Sequence, residues 1–246
     1  MLSMLWAPGF PTGFWPVIDG DLITDNVFDA AAAPSSVDVP LMIGTNGTEF
    51  TLFMQGDSSA YNLGDLGLRI RASAMFGLGN ASRIIDSYHR DFPDYDNSRL
   101  WFRMFSDYAM GTLSSEIMDV RSNAPDAAPV YAYRFDWQTP IFDGKLYSPH
   151  TIEIPFIFDN ATTDAGIQMT GGGPQVAALA KTVSNAWVEF AKTGKPSADG
   201  LPEWPAFSTA NRESMHFDTS SYVGPYMDPA MVDLFHGILW DRAGIN

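Results

Sequence analysis

Proton transfer near neutral pH needs an imidazole or a carboxyl group held against a partner, and this chain offers four histidines: His89, His150, His216 and His236. His89 falls late in a polar helical segment beside Arg90 and Asp91, the setting of a solvated side chain. His216 lies in a short strand-like run and His236 in an apolar helical one, where structural or surface roles are the ordinary outcome. His150 differs. The segment Tyr147-Ser148-Pro149-His150-Thr151-Ile152-Glu153-Ile154-Pro155 reads as a loop, where a reactive imidazole can meet a partner carried by another element. Loop placement alone leaves a reactive and an ordinary His150 equally open. Glu49 is the second candidate. It follows the strand-like Leu41-Met42-Ile43-Gly44 and the turn Thr45-Asn46-Gly47-Thr48. In open α/β sheets reactive groups gather just past the carboxyl ends of strands. A carboxylate there can orient an imidazole and stabilise its protonated form. The plainer alternative is a surface Glu at the start of a helix.

Composition narrows the chemistry further. The 246 residues contain no cysteine, which excludes disulfides, thiolate metal sites and a cysteine nucleophile within this sequence. With 46% hydrophobic residues the chain can bury a core, so disorder is excluded as its main state. Fourteen Lys and Arg against 29 Asp and Glu leave a formal net charge of −15, and the bases are scattered, so a phosphate-binding surface and a nucleic-acid partner are not expected. No apolar run approaches the length of a membrane span. The opening Met1-Leu2-Ser3-Met4-Leu5-Trp6 lacks the basic segment of a signal peptide, so a soluble protein with no visible address is expected, its compartment undefined.

The elements that must position Glu49 and His150 follow from periodicity. Ala7 to Gly20, rich in Pro, Gly and aromatics, reads as a loop over a core. Val39–Gly44, Val130–Phe135 and Met215–Phe217 read as strands. Helices are expected over Leu66–Phe76, over Ala81–Tyr88 with Asn80 as N-cap, and as one long amphipathic element over Leu100–Arg121. Further helices are expected over Val176–Lys192, closed by Gly194, and over Met231–Trp240. Strands separated by long helices predict an α/β sheet with crossover connections, yet two or three strands are few for a parallel sheet buried on both faces.

Four ordered segments then carry a resemblance. They are Phe14-Trp15-Pro16-Val17-Ile18-Asp19-Gly20-Asp21, Pro40-Leu41-Met42-Ile43-Gly44-Thr45-Asn46-Gly47-Thr48-Glu49, Pro149-His150-Thr151-Ile152-Glu153-Ile154-Pro155-Phe156-Ile157-Phe158, and Trp187-Val188-Glu189-Phe190-Ala191-Lys192-Thr193-Gly194-Lys195-Pro196 with Trp204-Pro205-Ala206-Phe207 beyond it. The chain resembles the C-terminal half of a type B carboxylesterase, the cholinesterase-like branch of the α/β-hydrolases. The resemblance implies one domain over residues 1–246: the C-terminal portion of an α/β-hydrolase fold, a mixed and mostly parallel sheet with flanking helices and its N-terminal strands missing. It implies Glu49 as the acid and His150 as the base of a Ser-His-Glu triad, with Glu153 structural. Thr48 and Phe50 depart from the family's usual Asp and Gly.

The family's nucleophile sits on a Gly-x-Ser-x-Gly elbow upstream of the acid, and no such elbow occurs in this sequence. Gly56-Asp57-Ser58-Ser59-Ala60 imitates it after the acid and ends in Ala; Gly171-Gly172-Gly173 imitates an oxyanion loop after the base. Both read as decoys. The expectation is therefore an ester hydrolase part that needs the missing N-terminal half as partner, takes a small carboxylic ester, uses no cofactor or metal, and is inactive alone. Phe50, Phe53, Trp137 and Phe142 are candidates to line its pocket, though most of them suit a core equally well. A binding module that has lost catalysis is the alternative.

Overall fold

The computed structural model describes residues 19–21 and 36–243. The expected loop over Ala7–Gly20 therefore lies outside the described residues except for its last two, and the Phe14–Asp21 segment is described only from Asp19.

Four strands form one sheet in the order β1-β2-β3-β4. Strand β1 (Leu41–Asn46) runs parallel to β2 (Val130–Phe135), with Leu41 opposite Val130 and Asn46 opposite Phe135. Strand β3 (Glu213–Phe217) adds parallel to β2, and β4 (Tyr222–Pro225) turns back antiparallel on β3. The sequence reading missed β4. Its four residues include a Gly and a Pro and carry no apolar alternation, so pairing with β3 is what makes them a strand.

Alternation along the strands divides the core. Val130 and Ala132 of β2, with Leu41 and Ile43 of β1, pack against a helical layer. That layer comprises α2 (Asp65–Phe76), α3 (Leu78–Asp91), α4 (Asn97–Ser106), α5 (Thr112–Asn123) and α9 (Pro229–Ala243). Tyr131 and Phe135 point the other way, joining Phe217 and Trp204 beneath α8 (Pro174–Thr193). A side chain such as Phe135 or Phe217, fully buried here, contributes roughly 1.5–3 kcal/mol through removal from water. Trp204 also donates its indole N–H to the Ala132 carbonyl at 3.0 Å, which satisfies its one polar atom. The short helices α1 (Phe50–Phe53), α6 (Ile154–Ile157) and α7 (Asp164–Thr170) lie in the connections.

Two helical expectations need correction. The element expected over Leu100–Arg121 is α4 and α5 joined by a π-helical turn at Asp107–Gly111. Asp107 is drawn into a buried ion cluster at this turn, and Gly111 stands where a Cβ would come within 2.7 Å of Met227 Sδ. The helix α3 begins at Leu78, not after an Asn80 cap. Gly77 at φ 85° ends α2 and starts α3 in a single residue, and the Asn80 amide donates back to the Phe76 carbonyl at 3.1 Å. Helix α8 ends as its sequence suggests, with Gly194 left-handed at φ 77° and its N–H on the Phe190 carbonyl.

Candidate active site

The end of β1 sets the first side chain. Asn46 closes the strand, Gly47 and Thr48 turn, and Glu49 takes a helical conformation just before α1. This geometry points the carboxyl back at the strand end, where Glu49 Oε1 accepts from the Asn46 backbone N–H at 2.6 Å. The second side chain comes from the long connection after β2, where Tyr147 (φ 51°) and Thr151 (φ 71°) bend the chain on either side of His150.

Main-chain and hydroxyl bonds lace the two loops together. Thr48 donates its N–H to the Ser148 carbonyl at 2.9 Å, its hydroxyl accepts from the Ser148 N–H at 2.9 Å, and that hydroxyl donates to the Leu146 carbonyl at 3.1 Å. Ser148 in turn donates its hydroxyl to the Phe135 carbonyl at the end of β2, at 2.5 Å. Thr48, a departure from the family pattern at the sequence level, is thus a stitch between the two loops.

The result brings Glu49 and His150 together across 101 residues, with His150 Nδ1 2.7 Å from Glu49 Oε2. The Glu49 side chain is 5% exposed and the imidazole 38%. Facing a carboxylate, Nδ1 carries the proton, which leaves the Nε2 lone pair outward. Among the described residues Nε2 has no hydrogen-bond partner. The hydrogen bond donated to Glu49 raises the imidazole pKa above its ordinary value, against the opposing effect of burial, with the charges of Glu49 and Glu153 adding to it. Glu153 stands three residues on, and burial pushes its carboxyl above the ordinary glutamate value despite a hydrogen bond from Asn46. A cleft of about 300 Å³ opens here, lined by Glu49, His150, Glu153, Tyr133, Ser114 and Met110 among others.

Two other histidines also meet carboxylates. His216 Nδ1 is 2.7 Å from Asp136 Oδ2, and its Nε2 lies 3.1 Å from Ser214 Oγ, an outline of a triad. Ser214 is wholly buried and hydrogen-bonds the Gly224 carbonyl, Tyr222 stacks on the ring at 4.6 Å, and no reacting group can enter. His236 Nε2 pairs with Glu116 at 2.8 Å on the helical layer and stacks on Trp240. His89 is exposed on α3. Among the described residues, the Glu49–His150 pair is the one that joins a buried carboxyl to an imidazole lining a cleft.

The aromatic lining expected from sequence is not assembled. Phe53 lies 5.1 Å from the His150 ring, but Phe50 stacks instead on Phe105 at 3.9 Å. Trp137 is buried against Phe156 and Phe142 is 64% exposed, because the core claims one and a strained surface turn carries the other. Ser58 opens an exposed 3-10 turn, capped by Asp57, with no histidine among its partners. Gly171, Gly172 and Gly173 all have positive φ and turn the chain from α7 into α8.

Among the described residues no cluster of three metal-ligating side chains exists, and no helix is long and apolar enough to cross a membrane. Comparison with known proteins assigns the family, since the model of the carboxylesterase family matches residues 4–229. The chain belongs to the carboxylesterase family. This carboxylesterase-family chain is 27% identical over 212 residues to a para-nitrobenzyl esterase of Bacillus subtilis, covering 85% of the chain but 40% of that protein. It is 42% identical over 81 residues to a phenmedipham hydrolase of Pseudarthrobacter oxydans. Among solved structures, a carboxylesterase of Geobacillus stearothermophilus matches with a TM-score of 0.67 and 26% identity, over 89% of this chain and 45% of that one. The fold is accordingly that of the α/β-hydrolases, and the chain spans less than half the length of these relatives.

Proposed function

We propose that this chain supplies the acid and base of a carboxylic ester hydrolase, with His150 as general base and then general acid and Glu49 as the group that holds its tautomer. The observation that carries the reading is the 2.7 Å contact between a buried Glu49 carboxyl and His150 Nδ1, with Nε2 open toward a cleft. In this mechanism a serine hydroxyl gives its proton to Nε2 as its oxygen attacks the ester carbonyl. The imidazolium then returns the proton to the departing alcohol, and water repeats the cycle to release the acid. A binding module would leave this pair without a task.

The serine and the oxyanion donors belong, in this reading, to polypeptide outside the 246 residues. Three facts support it: no Gly-x-Ser-x-Gly occurs in the sequence, the chain covers 40% of its Bacillus relative, and among the described residues no strand pairs with the outer edge of β1. An unpaired edge of a parallel sheet is where further strands add. The substrate is a small carboxylic ester, and no cofactor takes part. Treating the 246-residue chain with a fluorophosphonate probe tests the missing-serine half of the proposal. Mass spectrometry should find no stoichiometric serine adduct, and an adduct on Ser58 or any other serine would overturn it.

A further inference from the structure

Two carboxyl groups, Glu49 and Glu153, line the cleft that holds His150, yet only Glu49 hydrogen-bonds the imidazole. What separates their roles is a single residue between them. Asn46 donates its backbone N–H to Glu49 Oε1 at 2.6 Å and its side-chain N–H to Glu153 Oε2 at 2.5 Å. It is 2% exposed and closes β1, opposite Phe135, so the sheet fixes its main chain before either carboxyl is held. The sequence gap to Glu153 is 107 residues.

We propose that Asn46 is a positioning residue of the Glu49–His150 pair, holding Glu49 through its backbone and tethering Glu153 through its amide so that Glu49 alone meets the imidazole. The catalytic meaning rests on the function proposed above; the contacts themselves do not. The residue type follows from the chemistry. A neutral amide donates to a carboxyl without bringing a charge into the cleft. Lysine or arginine would compete with His150 for both carboxylates, and aspartate would set a third carboxyl against the other two. The groups facing Glu153 and His150 are Glu49 beyond β1, Tyr133 on β2 and Phe53 on α1, while Met110, Leu113 and Ser114 bring no charge from the α4–α5 side. Glu153 is thereby a second carboxyl whose ionisation is felt at His150 through space, not through a bond.

The test is NMR titration of the 246-residue chain, with the Glu153 carboxyl carbon and the His150 ring nitrogens as probes, so that it needs neither the serine nor turnover. Asn46→Leu keeps the volume and removes the donor. The Glu153 midpoint should rise by about one pH unit, and the His150 midpoint should fall because a neutral Glu153 no longer supports the imidazolium. Exchanging donor and acceptor in Asn46→Asp with Glu153→Gln should return His150 to its wild-type midpoint. An unchanged Glu153 midpoint in Asn46→Leu would overturn the proposal. If Asn46→Leu does not fold, the exchanged pair decides: a folded chain with the wild-type His150 midpoint supports the tether, and a shifted midpoint or an unfolded chain refutes it. Loss of ester hydrolysis plays no part in these readings, so failure of the esterase proposal would leave them intact.

Discussion

Asp107 is the residue whose replacement should damage the scaffold of the site most for the least change in shape. It opens the π-helical turn that carries Ala109 and Met110 to the cleft. Its carboxyl accepts from Arg103 Nε at 3.0 Å, from the Tyr88 hydroxyl at 2.8 Å and from Arg134 Nη2, and its side chain is 4% exposed. Burial opposes its ionisation, yet Arg103 and Arg134 hold its pKa below the ordinary aspartate value. Arg103 has a second partner in Asp136, whereas among the described residues Arg134 forms an ion pair with Asp107 alone. Asp107→Asn keeps the volume and one acceptor but leaves the buried Arg134 cation uncompensated beside Arg103. Removing one member of a buried pair in this way costs about 3–5 kcal/mol. With a urea slope of about 2 kcal/mol per molar, the unfolding midpoint should fall by roughly 2 M. The measurement is urea unfolding followed by tryptophan fluorescence at neutral pH, in low salt and in 1 M NaCl. Salt should change the loss little, because both partners are shielded from solvent. Replacing the pair together, Asp107→Leu with Arg134→Met, should cost less than Asp107→Asn alone. A loss below about 1 kcal/mol for Asp107→Asn, with an unchanged slope, would refute the view that these charges compensate each other in a dry interior.

Other outcomes follow from the same structure. Gly44→Ala should destabilise the chain by about 1–3 kcal/mol in the same unfolding assay, because the new Cβ would run into the Tyr133 carbonyl oxygen across the β1–β2 pair. The Glu49–His150 contact should stabilise the fold in a pH-dependent way. Since the folded imidazole pKa is raised, the benefit is present below the ordinary histidine value of about 6.5 and is lost as pH rises through the folded value. The stability difference between wild type and Glu49→Gln should therefore be larger at about pH 5.5 than at about pH 9, and under about 1 kcal/mol because the imidazole is partly solvated. A difference that grows with pH would contradict the assigned proton positions.

Local pattern made some of this architecture readable and left other parts hidden. Strands β1, β2 and β3 and helix α8 announce themselves because their apolar periodicity and, for α8, the closing Gly194 are written within a few neighbouring residues. Strand β4 and the π-helical turn are not so written. One is made by pairing with β3, and the other holds Asp107 against Arg134, 27 residues away, a contact no local pattern announces. Glu49 and His150 were each legible as candidates from their placement past a strand and on a loop, and the resemblance paired them. The distance between them depends on the stitching of Thr48 to Ser148, which neither residue type declares. Asn46 reads as part of a turn in the sequence because its side-chain partner lies far along the chain. The aromatic pocket failed for the same reason: Phe50, Phe53, Trp137 and Phe142 suit a pocket or a core equally well by type, and only packing tells them apart.

The most direct test of the central claim joins this chain to the upstream half of the Bacillus relative and measures hydrolysis of a para-nitrophenyl ester by the wild type and His150→Ala. The claim predicts turnover in the joined protein that falls by at least about 10³-fold in His150→Ala, with the unfolding midpoint preserved. Comparable turnover in His150→Ala, or a folded joined protein that leaves the ester intact, would contradict it.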